Sequence, residues 1–217
     1  MKNINKITYL SIYNLLKKNN NFIESNLKDT DIFTSLNSVK NANNKELTFF
    51  ANISQLEFLK KTKAKACLIN KKYINYLPKN TIPIFVDNSY DSFALVSNLF
   101  FKGEISNNCI SKMSLINSNS IISSNVQIDP FVVIKENCII GNNVIINSNS
   151  TIGPNVKILD NTIIKPNSTI LNCEIGSNCM IKSGAIIGGT GFGFDPLSKN
   201  KIQHIGNVII GNNCHIG

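Results

Sequence analysis

The sequence predicts a small α/β domain over residues 1–103 followed by a parallel β-helix of six-residue repeats over residues 104–217. Three observations predict it. Isoleucines recur every six residues through the second half, the first half lacks that period but alternates strand-like with helix-like runs, and the charge balance changes between the two. Residues 1–103 carry 15 Lys against 7 acidic residues, and residues 104–217 carry 7 Lys against 6. Nearly all of the net charge of +9 therefore sits on the front segment, and it is all lysine.

The repeat is the stronger signal. Ile116, Ile122, Ile128, Ile134, Ile140, Ile146, Ile152, Ile158, Ile164 and Ile170 stand six apart without a break. The phase slips by one residue to Ile175, runs on through Ile181 and Ile187, and returns after an interruption at Ile210 and Ile216. Neither a helix, with its period of 3.6, nor a lone strand, with its period of 2, produces this spacing. A fixed period of six marks a coil in which a short strand is followed by a corner. Gly and Asn follow the isoleucines, as in Ile140-Gly141-Asn142-Asn143, and they tolerate the positive φ a tight corner needs. Three hexapeptides close one coil, and successive coils stack through parallel-strand hydrogen bonds about 4.8 Å apart. A second inward position recurs four residues after each isoleucine: Ser120, Val126, Val132, Cys138, Val144, Ser150, Val156, Thr162 and Ser168. Cys138, and by the same logic Cys179 and Cys214, read as core filler.

In the front segment, strand-like runs at 47–51, 66–69 and 82–86 alternate with helix-like runs at 7–18, 54–62 and 92–102. That order suits a small α/β unit, with the junction between Gly103 and Ser114. The opening residues 1–6 lead into apolar Tyr9, Leu10, Ile12 and Leu15 with no small-residue cleavage site, so they read as the start of an amphipathic helix rather than a signal peptide. No apolar run approaches the roughly 18 residues that cross a bilayer, so stable membrane insertion is not expected. Six cysteines without a CxxC pair, and two histidines, argue against a zinc site, and unpaired cysteines suit a reducing, cytoplasmic setting. A basic surface can meet nucleic acid, but the aromatic interleaving of an RNA-binding sheet is absent, and no nucleic-acid partner is expected.

Two places break the coil. Residues 187–206 form a glycine-rich excursion, Ile187-Gly188-Gly189-Thr190-Gly191-Phe192-Gly193-Phe194, ending at His204-Ile205-Gly206. Loops on rigid scaffolds often carry function, so Gly191, Phe192, Gly193 and Phe194 are candidate site residues; the plainer reading is a bulge with Phe192 and Phe194 packed on the coil face. The other break is at Gly217, one residue into a fresh hexapeptide. Solenoids are ordinarily closed by a cap, so a further C-terminal part is expected.

Together these residues resemble the UDP-3-O-(3-hydroxyacyl)glucosamine N-acyltransferases of lipid A biosynthesis. The match is carried by 175–194 with its GFGF loop, by Lys201-Ile202-Gln203-His204-Ile205-Gly206-Asn207-Val208-Ile209-Ile210-Gly211, and by Leu47-Thr48-Phe49-Phe50-Ala51-Asn52 with Val86-Asp87-Asn88-Ser89-Tyr90. It covers essentially the whole chain. The resemblance implies a left-handed coil, although most crossovers between parallel strands are right-handed. It implies transfer of a 3-hydroxyacyl group from acyl carrier protein to the 2-amine of a UDP-linked acylglucosamine. No cofactor of the enzyme's own is implied, since the donor is phosphopantetheine-linked acyl carrier protein, and no metal. It implies that Phe49 and Asn52, spaced F-x-x-N, hold the uridine, the ring stacking on uracil and the amide pairing with its edge. The family's aromatic three residues further on is Gln55 here, and Thr190 stands where the family has Asp. The loop 191–194 falls on the acyl or pantetheine side. The family's general base is a His on a later coil, beyond residue 217; neither His204 nor His215 matches it, so no catalytic residue is assigned within the chain and the 217 residues alone are expected to be inactive. A homotrimer with sites between neighbouring solenoids is implied for the complete protein. The alternatives are another hexapeptide transferase, acting as a sugar-nucleotide O-acyl- or N-acetyltransferase, and a non-catalytic β-solenoid scaffold.

Overall fold

The computed structural model describes residues 6–19, 21, 24–101 and 103–217. Residues 1–5 and Lys102, which the sequence reading places at the start of the first helix and the end of the third, lie outside the described residues. The chain divides into two units, Met1–Gly103 and Glu104–Gly217.

The front unit runs β1 (Ile7–Thr8), α1 (Tyr9–Lys18), β2 (Glu24–Ser25), β3 (Ile32–Phe33), β4 (Leu47–Phe50), a 3-10 turn (Ile53–Gln55), α2 (Leu56–Leu59), β5 (Ala66–Ile69), a 3-10 turn (Lys71–Tyr76), β6 (Ile82–Phe85) and α3 (Ser89–Phe100). β4, β5 and β6 pair in parallel, and β2 adds to β6 in the antiparallel sense. Parallel strands covered on both faces are apolar throughout rather than alternating, and all four residues of β5 are buried. One face packs Leu47, Leu68 and Ile84 against Ile12 and Leu16 of α1 and Val96 and Phe100 of α3. The other packs Phe50, Cys67 and Ile69 against Leu59 of α2.

Each parallel strand runs into an asparagine that caps the next helical segment. Asn52 Oδ1 accepts from Ser54 N–H (2.9 Å), Asn70 Oδ1 from Lys72 N–H (3.1 Å), and Asn88 Oδ1 from Tyr90 and Asp91 N–H (both 3.1 Å). Such caps satisfy donors that the first turn leaves unpaired. They also correct two boundaries expected from sequence. α3 starts at Ser89 rather than at 92, because Asn88 is the cap, and the helix expected over 54–62 is a 3-10 turn plus one α-turn ending at Leu59.

The second unit is a left-handed parallel β-helix with three sheets. Its inward isoleucines stack in three columns: 116–134–152–170–187, 122–140–158–175–210 and 128–146–164–181–216. With valines and cysteines of the second inward position they form one core. The corners repeat too. Asn125, Asn137, Asn143, Asn149, Asn155, Asn161, Asn167 and Asn178 all have φ between 56° and 61°, the left-handed region that Asn enters more readily than most residues. Phe131 takes the same corner position at φ 64°.

Buried hydroxyls at the second inward position bond to carbonyls of the coil above: Ser150 Oγ donates to Lys165 O (3.0 Å) and Thr162 Oγ1 to Gly176 O (2.7 Å). Cys138 and Cys179 stand in the same role, their thiols on Gly153 O (2.8 Å) and Gly211 O (3.0 Å). Both are buried core filler, and Cys214 is partly buried against the same core. Burial pushes the Cys173 thiol up to about 11, with the neighbouring Glu174 carboxylate adding to it.

The one-residue slip is absorbed at Asn172, whose φ is 41°; the strand Cys173–Ile175 then rejoins its column with Ile158 beside Ile175. The excursion that follows leaves the stacking intact. Ile175 pairs with Ile210 and Ile181 with Ile216, so partners 35 residues apart occupy adjacent coils.

Candidate functional site

In the front unit the candidates gather at the carboxyl ends of the parallel strands. Phe49 projects from β4 toward α3 and is half-buried. One ring contact is a stack on Phe93, with centroids 4.1 Å apart and planes 24° from parallel. The other is Tyr90, at 5.8 Å and 65°. Tyr90 and Phe93 lie three residues apart on α3, hence on one face. Phe49 is thus both a core residue and the base of an aromatic corner whose outer member, Tyr90, is 67% exposed.

Asn52, two residues after the end of β4, is exposed and already accepts the Ser54 N–H through Oδ1. Its Nδ2 has no protein acceptor among the described residues, so the amide keeps a donor for a ligand. Gln55 is exposed in the same 3-10 turn and offers no aromatic surface. Between the loops after β4, β5 and β6 lies a cavity of ≈ 250 Å³ bordered by Ala51, Asn70, Asp87, Asn88 and Ser89, with Lys72 as its cation. Asn70 Nδ2 donates to Asp87 O (3.2 Å), tying two of these loops together. The crevice outside the carboxyl ends of parallel strands is the usual place for a ligand in such sheets. Sequence reasoning singled out Phe49 and Asn52 as contacts but not Tyr90 or Phe93; the signal for that pair was their spacing after a capping Asn.

The glycine-rich excursion is a hairpin. Phe194 bridges Lys201 in antiparallel fashion, Ile202 N–H donates to Gly193 O (2.9 Å), and Lys199 N–H closes the tip on Asp195 O (3.0 Å). Backbone donors from Ser198 and Leu197, together with the Ser198 hydroxyl, hold the Asp195 carboxyl below the usual range. Gly191 and Gly193 have a specific reason to be glycine: the His204 imidazole lies against both. A Cβ on Gly191 would stand 2.6 Å from His204 Cε1, and one on Gly193 3.2 Å from Nε2. Phe192 and Phe194 do not pack on the coil face, as the plainer sequence reading had it. They contact each other, centroids 4.9 Å apart, and Phe192 is 94% exposed. The other histidine, His215, points outward from the strand His215–Ile216, opposite Met180.

Comparison with known proteins agrees with these two halves. Residues 32–99 match the family model described as UDP-3-O-(3-hydroxymyristoyl) glucosamine N-acyltransferase, LpxD. Residues 119–154 and 140–172 match the bacterial transferase hexapeptide model. UDP-3-O-acylglucosamine N-acyltransferase 2 of Legionella pneumophila (strain Paris) is 45% identical over 191 residues, which is 87% of this chain and 56% of that protein. UDP-3-O-acylglucosamine N-acyltransferase of Marinomonas sp. (strain MWYL1) is 45% identical over 189 residues, 86% of this chain and 54% of that one. The enzyme of the same name from Rickettsia prowazekii (strain Madrid E) is 42% identical over 193 residues, 88% and 56%. The chain spans about half the length of the curated relatives it matches, and over that half it is similar to the UDP-3-O-acylglucosamine N-acyltransferases.

Proposed function

We propose that this chain carries the acceptor-binding part of an N-acyltransferase that moves a 3-hydroxyacyl group from acyl carrier protein to the 2-amine of UDP-3-O-(3-hydroxyacyl)glucosamine. The observation that supports it most is the juxtaposition at the end of β4: a half-buried Phe49 backed by Phe93, and an Asn52 amide with an unused N–H. A pyrimidine needs a flat apolar surface and a polar partner for its edge. With Oδ1 engaged by Ser54, Asn52 reads that edge chiefly as a donor, through Nδ2 to a uracil carbonyl oxygen. Cytosine presents an amino group in place of the O4 carbonyl, so the site prefers uridine to cytidine nucleotides. Lys72 in the adjoining cavity supplies positive charge for the diphosphate.

The partners follow from the same reading. Acyl carrier protein is the donor, and the lysine-rich front unit attracts its acidic surface. The complete protein is a homotrimer, its solenoids meeting through outward-facing apolar residues such as Leu115, Ile121, Ile139 and Ile186, which are exposed in the single chain. Among the described residues no helix is long and apolar enough to cross a membrane, and we place the protein in the cytoplasm, where its free cysteines stay reduced. Neither His204, laid on the hairpin glycines, nor His215 is assigned as a general base.

Calorimetric titration of the 217-residue chain with UDP and with CDP tests the reading. UDP is expected to bind and CDP to bind more weakly. Asn52→Ala weakens UDP binding about 5- to 10-fold, the worth of one hydrogen bond, and removes the preference. Absence of UDP binding, or equal affinity for the two nucleotides, contradicts the proposal.

A further inference from the structure

The aromatic corner has a member that the F-x-x-N pattern does not include. Tyr90 is the second residue of α3, and its N–H is held by the Asn88 cap (3.1 Å). The backbone that carries the ring is therefore fixed before any ligand arrives. The ring stands 5.8 Å from Phe49 at 65°, and Phe93 one turn on closes the far side of Phe49 at 4.1 Å. Phe49 consequently has part of its surface committed to the core, while Tyr90 keeps 67% of its surface in solvent. Burial of aromatic surface is favourable, and Tyr combines an apolar body with a hydroxyl that seeks a partner. A Tyr held this far open on a capped first turn, beside a half-buried ring and next to a cavity bordered by Ser89 and Asn88, is a pre-ordered surface for a planar ligand.

We infer that Tyr90 is a nucleobase-contacting residue: its ring supplies the second aromatic wall of the pyrimidine site, at an angle to Phe49, and Phe93 acts behind Phe49 as support. This rests on the uridine reading of Phe49 and Asn52. Gln55, exposed in the turn after β4, has no ring to contribute; the ring beside Phe49 stands on the first turn of α3, which follows β6. The two walls thus belong to different strand ends. The ligand then bridges the loops after β4 and β6, and binding couples them.

The chain suits a direct test, because it has no Trp and five Tyr, so tyrosine emission is not masked. The 217-residue chain is titrated with UDP, following both heat and tyrosine fluorescence. The wild type is expected to release or absorb heat and to lose emission over the same concentration range. Tyr90→Phe keeps the wall, binds within about twofold of wild type, and loses most of the fluorescence change. Tyr90→Ala weakens binding roughly 5- to 150-fold, as removal of a base-stacking aromatic does. Wild-type affinity in Tyr90→Ala, or an undiminished fluorescence change in Tyr90→Phe, overturns the inference while leaving the uridine reading standing. Absence of binding heat in the wild type overturns both.

Discussion

At the scale of single residues, backbone angle and hydrogen-bond supply explain which side chains stand where. The corner positions of the solenoid are asparagine because φ near +60° costs an ordinary L-residue roughly 1–2 kcal/mol. Phe131 occupies that conformation without compensation from burial, at φ 64° and 57% exposed. Phe131→Asn is therefore expected to stabilise the chain by about 0.5–1 kcal/mol in denaturant unfolding; no change, or a loss, counts against corner strain as the reason for the asparagines. Glu46 shows the opposite economy. It is only 8% exposed, and burial works against its charge. Three donors, the Ser35 hydroxyl (2.6 Å), the Asn43 N–H (2.9 Å) and Asn37 Nδ2 (3.3 Å), outweigh that and bring its pKa below the ordinary 4.5. A carboxyl whose pKa is lowered by folding adds stability above its unfolded pKa and loses it as pH falls through the folded value. Glu46→Gln is expected to cost about 1.5–3 kcal/mol at pH 7. In thermal melts between pH 7 and pH 3 the gap to wild type should narrow on the acid side; a gap that stays constant removes the charge from the explanation.

At the scale of elements, the hairpin leaves the solenoid through a single tight contact. Gly188 has φ 68°, its carbonyl accepts from Asn172 Nδ2 (3.2 Å), and a Cβ there would lie 1.7 Å from Leu171 O. Gly188→Ala is expected to cost about 2–4 kcal/mol, combining a backbone clash with an unfavourable φ. Gly206→Ala, on the far side of the same hairpin with nothing within 4 Å of its would-be Cβ, should stay within about 0.5 kcal/mol of wild type. Equal effects at the two glycines would mean that the exit is not pinned at Gly188. The elements also show where sequence reading succeeds and why it stops. Strands β4, β5 and β6 are legible because short, mainly apolar runs bounded by turn-forming residues leave little choice. The strands Ile7–Thr8, Glu24–Ser25 and Ile32–Phe33 are two residues each, too short to carry a period. The helix-like run at 92–102 misses the first turn of α3, because that turn is fixed by the Asn88 side chain taking the Tyr90 and Asp91 N–H groups, and Ser92 lies inside the helix at 0% exposure. Placing Tyr90 beside Phe49 needed that boundary and the contact across the sheet, which no local pattern contains.

At the scale of the whole molecule, the six-residue period translates directly into three columns of stacked isoleucines, and the slip at Ile175 and the return at Ile210 are legible in the sequence itself. What spacing alone could not supply is how an insertion between partners 35 residues apart leaves the ladder unbroken: the coil needs only that each end of the excursion reach the same corner. The columns also set a gradient of burial. Ile158 is fully buried mid-column, whereas Ile116, at the end of its column, is only partly buried. Ile158→Ala is expected to cost about 2–5 kcal/mol and Ile116→Ala distinctly less; the reverse order in urea unfolding contradicts the stacked-column description. For function, the front unit matters most, because it is there that an aromatic corner, a free amide donor and a cation meet at the ends of parallel strands. Amide hydrogen exchange of the 217-residue chain with and without UDP measures where the nucleotide sits. Slowed exchange in segments 49–55 and 86–92, with the solenoid columns unchanged, is the result this account predicts. Protection confined to the hairpin at 191–206, or no protection in either front segment at saturating UDP, contradicts it.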